Sequence, residues 1–417
     1  MGSTGNLLRP MTIANEAPTV LIRPVQYRDL ENLNPLLERP VELGQYPTDL
    51  SLPEQLEQVR FWYGLIKFLQ CFPNPLQHLF SGYVAEEVAS GRLGGFVQIA
   101  PFNSSRSTWR VERVLLDSSA IQPDLVTDPK GLGSQLLRYC FERVWEARTW
   151  LLEVNIQAKN SLALYRQNGF QPLAQMTYWS LSPDRLALLA NNDPDLPNLL
   201  PVSNADSFLL YQLDCVSMPP LLRQVFDRHG QDFKVRFLPS LVTRLQHRLH
   251  QRQEVSGYVF EPQRKAAIAY FKLIISKKGV RPHQAELTVH PAYTWLYPKL
   301  LVHMARLVHH LPEQSLELMS ADYQHEREEY LEQLGAQRVE HTLLMSRSVW
   351  HKLKETKPER LQLSEVLQGL HPAPRSAIPS RMSLLNLALK AKPEETTGEV
   401  PDSRPPSDTL PKNGHHV

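Results

Sequence analysis

Residues 128–140 read DPKGLGSQLLRYC. Gly131 and Gly133 flank one leucine, and an apolar helical face follows on Leu136, Leu137, Cys140, Phe141 and Val144. Flexible residues at a helix mouth have two uses. A tight turn takes glycine for its backbone freedom. Alternatively, the first N–H groups of a helix lack acceptors within it and form an anion site, which glycine lets a phosphate approach. Two other phosphate signatures are excluded. A dinucleotide fingerprint needs a third glycine where Leu136 stands, and no Gly-Lys is followed by Ser or Thr as a P-loop requires.

Upstream, HLFSGYVAEEVASGRLGGFVQIA (78–100) reads as two strands joined at Ser90-Gly91, and STWRVERVLLD (107–117) as a third. TVLIRPVQ (19–26) alternates like a strand and turns helical after Tyr27. SLPEQLEQVRFWYGLIKFLQ (51–70) has Ser51 as N-cap and apolar residues at helical spacing. Downstream come a strand, TWLLEVNI (149–156), and a helix, NSLALYRQNGF (160–170), with Gly169 as its C-terminal glycine. A closing strand follows, FQPLAQMTYWSL (170–181). After an Asn-, Asp- and Pro-rich stretch at 189–207, the order recurs. SGYVFEPQRKAAIAYFKLIIS (256–276) and AELTVHP (285–291) are strands, LYPKLLVHMARLVHHL (296–311) a helix and SLELMS (315–320) a strand. HEREEYLEQLG (325–335) is then a helix and RVEHTLLMSRSVW (338–350) the last strand. This is an internal duplication.

The ordered set RVERVLLD, KGLGSQLL, LLEVNI and LALYRQNGF resembles the GNAT acyl-CoA transferase superfamily over residues 18–182. The resemblance implies an α/β protein of two GNAT-like domains. Each has a mixed, mainly antiparallel central sheet flanked by helices. The boundaries are 18–188 for the acetyl-CoA-binding domain, 189–207 for a linker and 208–356 for a degenerate second domain. It also implies roles. Backbone N–H groups at Lys130, Gly131, Leu132, Gly133 and Ser134 would hold the pyrophosphate of acetyl-CoA, helped by the helix dipole. The strand before the turn would splay at a bulge, and its backbone near Leu115 and Leu116 would pair with the pantetheine arm. Tyr165 matches the phenol that protonates the departing thiolate, and Glu112 is the candidate general base. Each has a structural alternative: turn glycines, a core tyrosine, a surface-strand glutamate.

The sequence departs from the pattern where Asp128 stands in a Gln/Arg slot and Ala158 in an Asn slot, with Asn160 close by to make the cofactor hydrogen bond. The second half lacks the glycine turn, carries Pro298 there, and has Leu331 at the tyrosine position. Glu153 has a counterpart in Glu317, a recurrence that suggests a structural role for both. The expected activity is transfer of an acetyl group from acetyl-CoA, as co-substrate, to a primary amine of a small molecule or protein. A non-catalytic acyl-CoA sensor or scaffold is the alternative, favoured by Asp128 and Ala158. A third class, transferases using charged tRNA, is opposed by the glycine turn.

The bulk numbers set the partners. A net charge of +2 in 417 residues gives no global field for nucleic acid, and TRLQHRLHQRQ (243–253) has no interleaved aromatics. No apolar run nears the ~20 residues of a membrane span. Cys71, Cys140 and Cys215 are scattered, and His303, His309, His310 and His325 have no zinc spacing, so neither metal nor disulfide is expected and the histidines read as surface residues. A cytoplasmic location follows, because no secretory signal opens the chain. Residues 371–417 are rich in proline and polar residues and read as a disordered tail.

Overall fold

The computed structural model describes residues 20–33, 40–45, 56–57, 59–60, 63–64, 80–88, 90–117, 131–234, 252–279 and 281–349. The predicted disordered tail, most of the 51–70 helix and Lys130 lie outside them. The alternating segments form strands where the sequence places them: β1 (Val20–Pro24), β3 (Ser81–Glu87), β4 (Leu93–Pro101) and β5 (Thr108–Asp117). A short α1 (Asp29–Asn32) and β2 (Pro40–Gln45) lie between β1 and β3. The β3–β4 turn uses Gly91 at φ +68°, a conformation that glycine takes without strain. There follow α2 (Leu132–Arg143), β6 (Thr149–Asn155), α3 (Lys159–Gln167), β7 (Gln171–Leu181) and α4 (Pro183–Ala190).

The stretch 189–207 contains the end of α4, the strand β8 (Leu199–Pro201) and a one-turn helix at Asn204–Asp206, capped reciprocally by Ser203 and Asp206. Next come α5 (Ser207–Ser217) and α6 (Pro220–Phe226), then β9 (Arg252–Glu261), β10 (Ala266–Ser276) and β11 (His283–Val289). The set closes with α7 (Leu296–Val308), β12 (Leu316–Ala321), α8 (His325–Gln333) and β13 (Gln337–Ser348).

All the strands join one mainly antiparallel sheet, ordered β1-β3-β4-β5-β6-β13-β7-β12-β11-β10-β9-β8, with β2 on β5. The last strands of the two halves are exchanged. β13 lies between β6 and β7, and β7 lies between β13 and β12. Each half therefore completes the other's sheet. Two cores flank it. Trp109, Trp150, Leu136, Phe141, Leu164 and Tyr165 belong to one, and Leu273, Leu300, Leu301 and Met304 to the other. A smaller cluster of Leu151, Met176, Met218, Leu222 and Leu344 seals the seam.

Polar contacts reinforce that seam. Asn103 Nδ2 donates to the carbonyl of Asp227 at 2.9 Å, the Ser104 N–H donates to Asp232, and the Thr108 hydroxyl donates to the carbonyl of Val225 at 2.9 Å. Of the four histidines read as surface residues, His303 is instead half-buried, edge-on to Phe271 at 5.4 Å.

Candidate active site

β5 and β6 run parallel but pair only at Thr108–Thr149, Trp109–Trp150 and Arg110–Leu151. A bulge marks the point where they part. Ile99 of β4 faces Val111 and Gln98 faces Arg113, which leaves Glu112 as the extra residue of β5. An inserted residue bends its strand and ends regular pairing. The bulge thus falls three residues before Leu115. The edge exposed by the bend is taken by β2, which runs antiparallel with Pro40 opposite Asp117, Val41 opposite Leu116, Glu42 opposite Leu115 and Gln45 opposite Arg113. β2 also lies beside β6 and α3, so the chain's own strand stands in the wedge.

The start of α2 faces this region. Gly131 is its N-cap, at φ −60° and ψ 157°, and no side chain caps it. Gln135 N–H is the first to bond back into the helix, to the carbonyl of Gly131 at 3.1 Å. Neither Gly131 nor Gly133 has positive φ, so backbone freedom does not explain the pair. Gly133 is a matter of space, since a Cβ there would lie 3.1 Å from Leu164 Cδ2 and 3.4 Å from Leu116 Cδ1. Gly95 on β4 does the same from the other side. Its Cβ would meet Leu116 Cδ2 and Leu136 Cδ1, both at 2.9 Å, so glycine lets α2 sit close on the sheet.

The other sequence-derived residues spread around the wedge. Leu115 and Leu116 are buried between β4 and β2. Ser134 is buried, and its hydroxyl accepts a hydrogen bond from Asn168 Nδ2 at 2.9 Å. Tyr165 is buried in α3 with its ring edge-on to Phe170 at 5.8 Å. Asn160 is exposed in the first turn of α3. Glu112, at the bulge, accepts from Arg110 Nη2 at 2.7 Å.

Glu153 gains weight in three dimensions. It is 2% exposed on β6, two residues past the last residue paired with β5. Its Oε1 accepts from the Tyr178 hydroxyl at 2.6 Å and from the Thr342 hydroxyl of β13. Burial pushes its carboxyl above the usual carboxylate range, against those two hydrogen bonds and the nearby Arg110. Glu153 and Glu317 sit in different surroundings: Glu153 is buried opposite Leu344 of β13, and Glu317 is half-buried opposite Ser180 of β7.

The second half repeats the parting of strands. β11 and β12 pair only at His283–Leu316, Gln284–Glu317 and Ala285–Leu318. No strand enters this gap among the described residues. Arg327 of α8 reaches across it, 4% exposed, and Nη1 donates to the carbonyl of Leu287 at 3.0 Å. Leu331, at the tyrosine position, is 1% exposed in the core.

This architecture is that of a tandem GNAT fold. Over 79% of this chain and 98% of the other, it is similar to a tandem GNAT protein from the clavulanic acid biosynthesis pathway, with 15% identity and a TM-score of 0.50. It is also similar to a GCN5-related N-acetyltransferase from Sphaerobacter thermophilus, over 79% and 95% of the two chains, with 12% identity and a TM-score of 0.45. No family model matches the sequence, and no curated protein does. Among the described residues no cluster of three or more His, Cys, Asp or Glu is arranged to hold a metal ion, and no helix is long and apolar enough to cross a membrane.

Proposed function

We propose that the first half is an acyl-CoA-dependent N-acetyltransferase acting on a primary amine. The observation that supports it most is the parting of β5 from β6 at a bulge, with the uncapped start of α2 beside it. Helix N–H groups and dipole suit a pyrophosphate, and a strand edge suits the amide-bearing pantetheine arm. Acetyl-CoA would supply the activated acyl group. The amine attacks its carbonyl, the N–C bond forms and the C–S bond breaks. The ammonium proton passes to a carboxylate, Glu153 or Glu112, and Tyr165 protonates the thiolate. A phenol of pKa about 10 is protonated at neutral pH and can serve a thiolate whose acid has pKa about 8.5.

The fit is conditional at one place. The β5 edge that would receive the arm already carries β2, so the arm fits only once residues 40–45 leave. The second reading is non-catalytic: a sensor that binds acyl-CoA without transferring the acyl group, or a scaffold in which β2 stays and shuts the arm out, and the occupied edge favours the scaffold. Two variants separate the readings. Gly131 sits in a backbone region open to any residue but is buried, so Gly131→Leu crowds the helix mouth, and circular dichroism must show the variant folded before its binding is read. Calorimetry should then show acetyl-CoA binding lost. In the wild type, turnover with a panel of polyamines, amino acids and peptides should be measurable and fall about 10²–10⁴-fold in Tyr165→Phe, with acetyl-CoA affinity little changed. Binding without turnover of any amine supports the sensor. Unchanged affinity in Gly131→Leu places the site elsewhere.

A further inference from the structure

Among the described residues, the gap between β11 and β12 holds a buried cation, Arg327, with no carboxylate partner. Among the described residues Arg327 makes two hydrogen bonds, both from Nη1: to the carbonyl of Leu287 at 3.0 Å and to Gln324 Oε1 at 3.2 Å. Its Nε is buried and unpartnered, and no carboxylate pairs with it. Nε and Nη2 form one planar edge of the guanidinium, so a whole donor fork is unused. Burying a charge without a partner is strongly unfavourable.

Two phenols and a helix start stand beside Arg327. Tyr297, in the first turn of the 13-residue α7, and Tyr323, between β12 and α8, both lie close enough to interact electrostatically with the guanidinium. Neither phenol makes a hydrogen bond among the described residues. The start of α7 adds the positive end of a helix dipole. The acidic groups near Tyr323 are Asp214, whose Oδ1 is held by Arg228 at 3.1 Å while its Oδ2 is buried without a partner, and the exposed Asp322; Glu326, exposed on α8, is near Tyr297. None is bonded to Arg327. A guanidinium fork matches a planar carboxylate in two parallel hydrogen bonds, and the phenols can complete its shell.

We propose that the second half, having lost the glycine turn, carries a carboxylate-binding site. The Nε–Nη2 edge of Arg327 holds the ligand, and the Tyr297 and Tyr323 hydroxyls flank it. The site stands apart from the acyl-CoA wedge and does not depend on the first half's being an enzyme.

The test is thermal melting of the full chain in sodium acetate, sodium succinate, sodium phosphate and sodium chloride at matched ionic strength. The carboxylates should raise the melting temperature saturably, beyond chloride and phosphate. Arg327→Gln should weaken the carboxylate response at least about tenfold, because charge-assisted hydrogen bonds are lost. A Tyr297→Phe, Tyr323→Phe double variant, which leaves the cation in place, should weaken it more mildly and localises the site if Arg327→Gln does not fold. A wild type that responds to carboxylates no more than to chloride overturns the proposal. So does phosphate outranking acetate and succinate, or a carboxylate response unchanged in the variants; Arg327 then only ties α8 to the Leu287 carbonyl.

Discussion

Glu153 shows how a single side chain changes meaning between sequence and structure. In the string LLEVNI it is one glutamate on a strand, and its loose alignment with Glu317 made it look like a repeated framework residue. The structure sets the two apart, since Glu153 is buried opposite Leu344 of β13 and Glu317 is half-buried opposite Ser180 of β7. What the sequence could not carry is that Thr342 and Tyr178, 189 and 25 residues away, converge on one carboxyl oxygen. The consequence is measurable. A carboxyl whose folded pKa is raised contributes stability that is fully present below its unfolded pKa and lost as pH rises through the folded value. Glu153→Gln keeps a neutral, hydrogen-bonding group there. The variant should therefore gain melting temperature relative to the wild type as pH climbs upward from the ordinary carboxylate range. A difference that stays flat with pH would mean that Glu153 ionises in the fold as it does in water. If Glu153 is the proton acceptor, the same substitution also removes the acid limb of the rate profile.

At the scale of elements, most strands and the helices at 132–143, 159–167, 296–308 and 325–333 were legible because their periodicity and glycine punctuation are strong, whereas α4, α5, α6 and β8 were not read. Gly91, Gly169 and Gly335 all take positive φ at a turn or helix end. The pair Gly131 and Gly133 was read for backbone freedom or anion approach, and the structure adds close packing against Leu164 and Leu116. Gly95 serves the same packing and had no signature of its own. β2 was not legible. PVELGQ has a proline and a glycine in six residues, a composition that argues against a strand, and only the free edge of β5 makes it one. β2 and the pantetheine arm compete for that edge in the proposed function. A ligand that binds only the open state has its affinity reduced by the open fraction. Replacing Val41 and Glu42 together by proline removes whichever N–H faces β5. If the paired state fills about 90% of molecules, acetyl-CoA should bind about tenfold tighter to this variant. Weaker binding would show that β2 helps to build the site.

At the scale of the molecule, the duplication was legible but the strand exchange was not, since pairing partners in a sheet leave no local trace in sequence. Its effect is mutual dependence. Without the second half, β6 and β7 lose β13 between them, and α3 loses Arg347, whose Nη1 donates to the carbonyl of Asn168. Residues 1–190 expressed alone should therefore aggregate or melt well below the full chain in circular dichroism; a fragment as stable as the full chain would make the exchange dispensable. The central claim is that acetyl-CoA enters the β5–β6 wedge by displacing β2 while docking on α2. Hydrogen–deuterium exchange of the full chain with and without saturating acetyl-CoA tests it most directly. The account predicts that amides of residues 41–45 lose protection while those of 113–117 keep theirs and those at the start of α2 gain it. Unchanged exchange at residues 41–45 and 131–135, with acetyl-CoA bound, would contradict it.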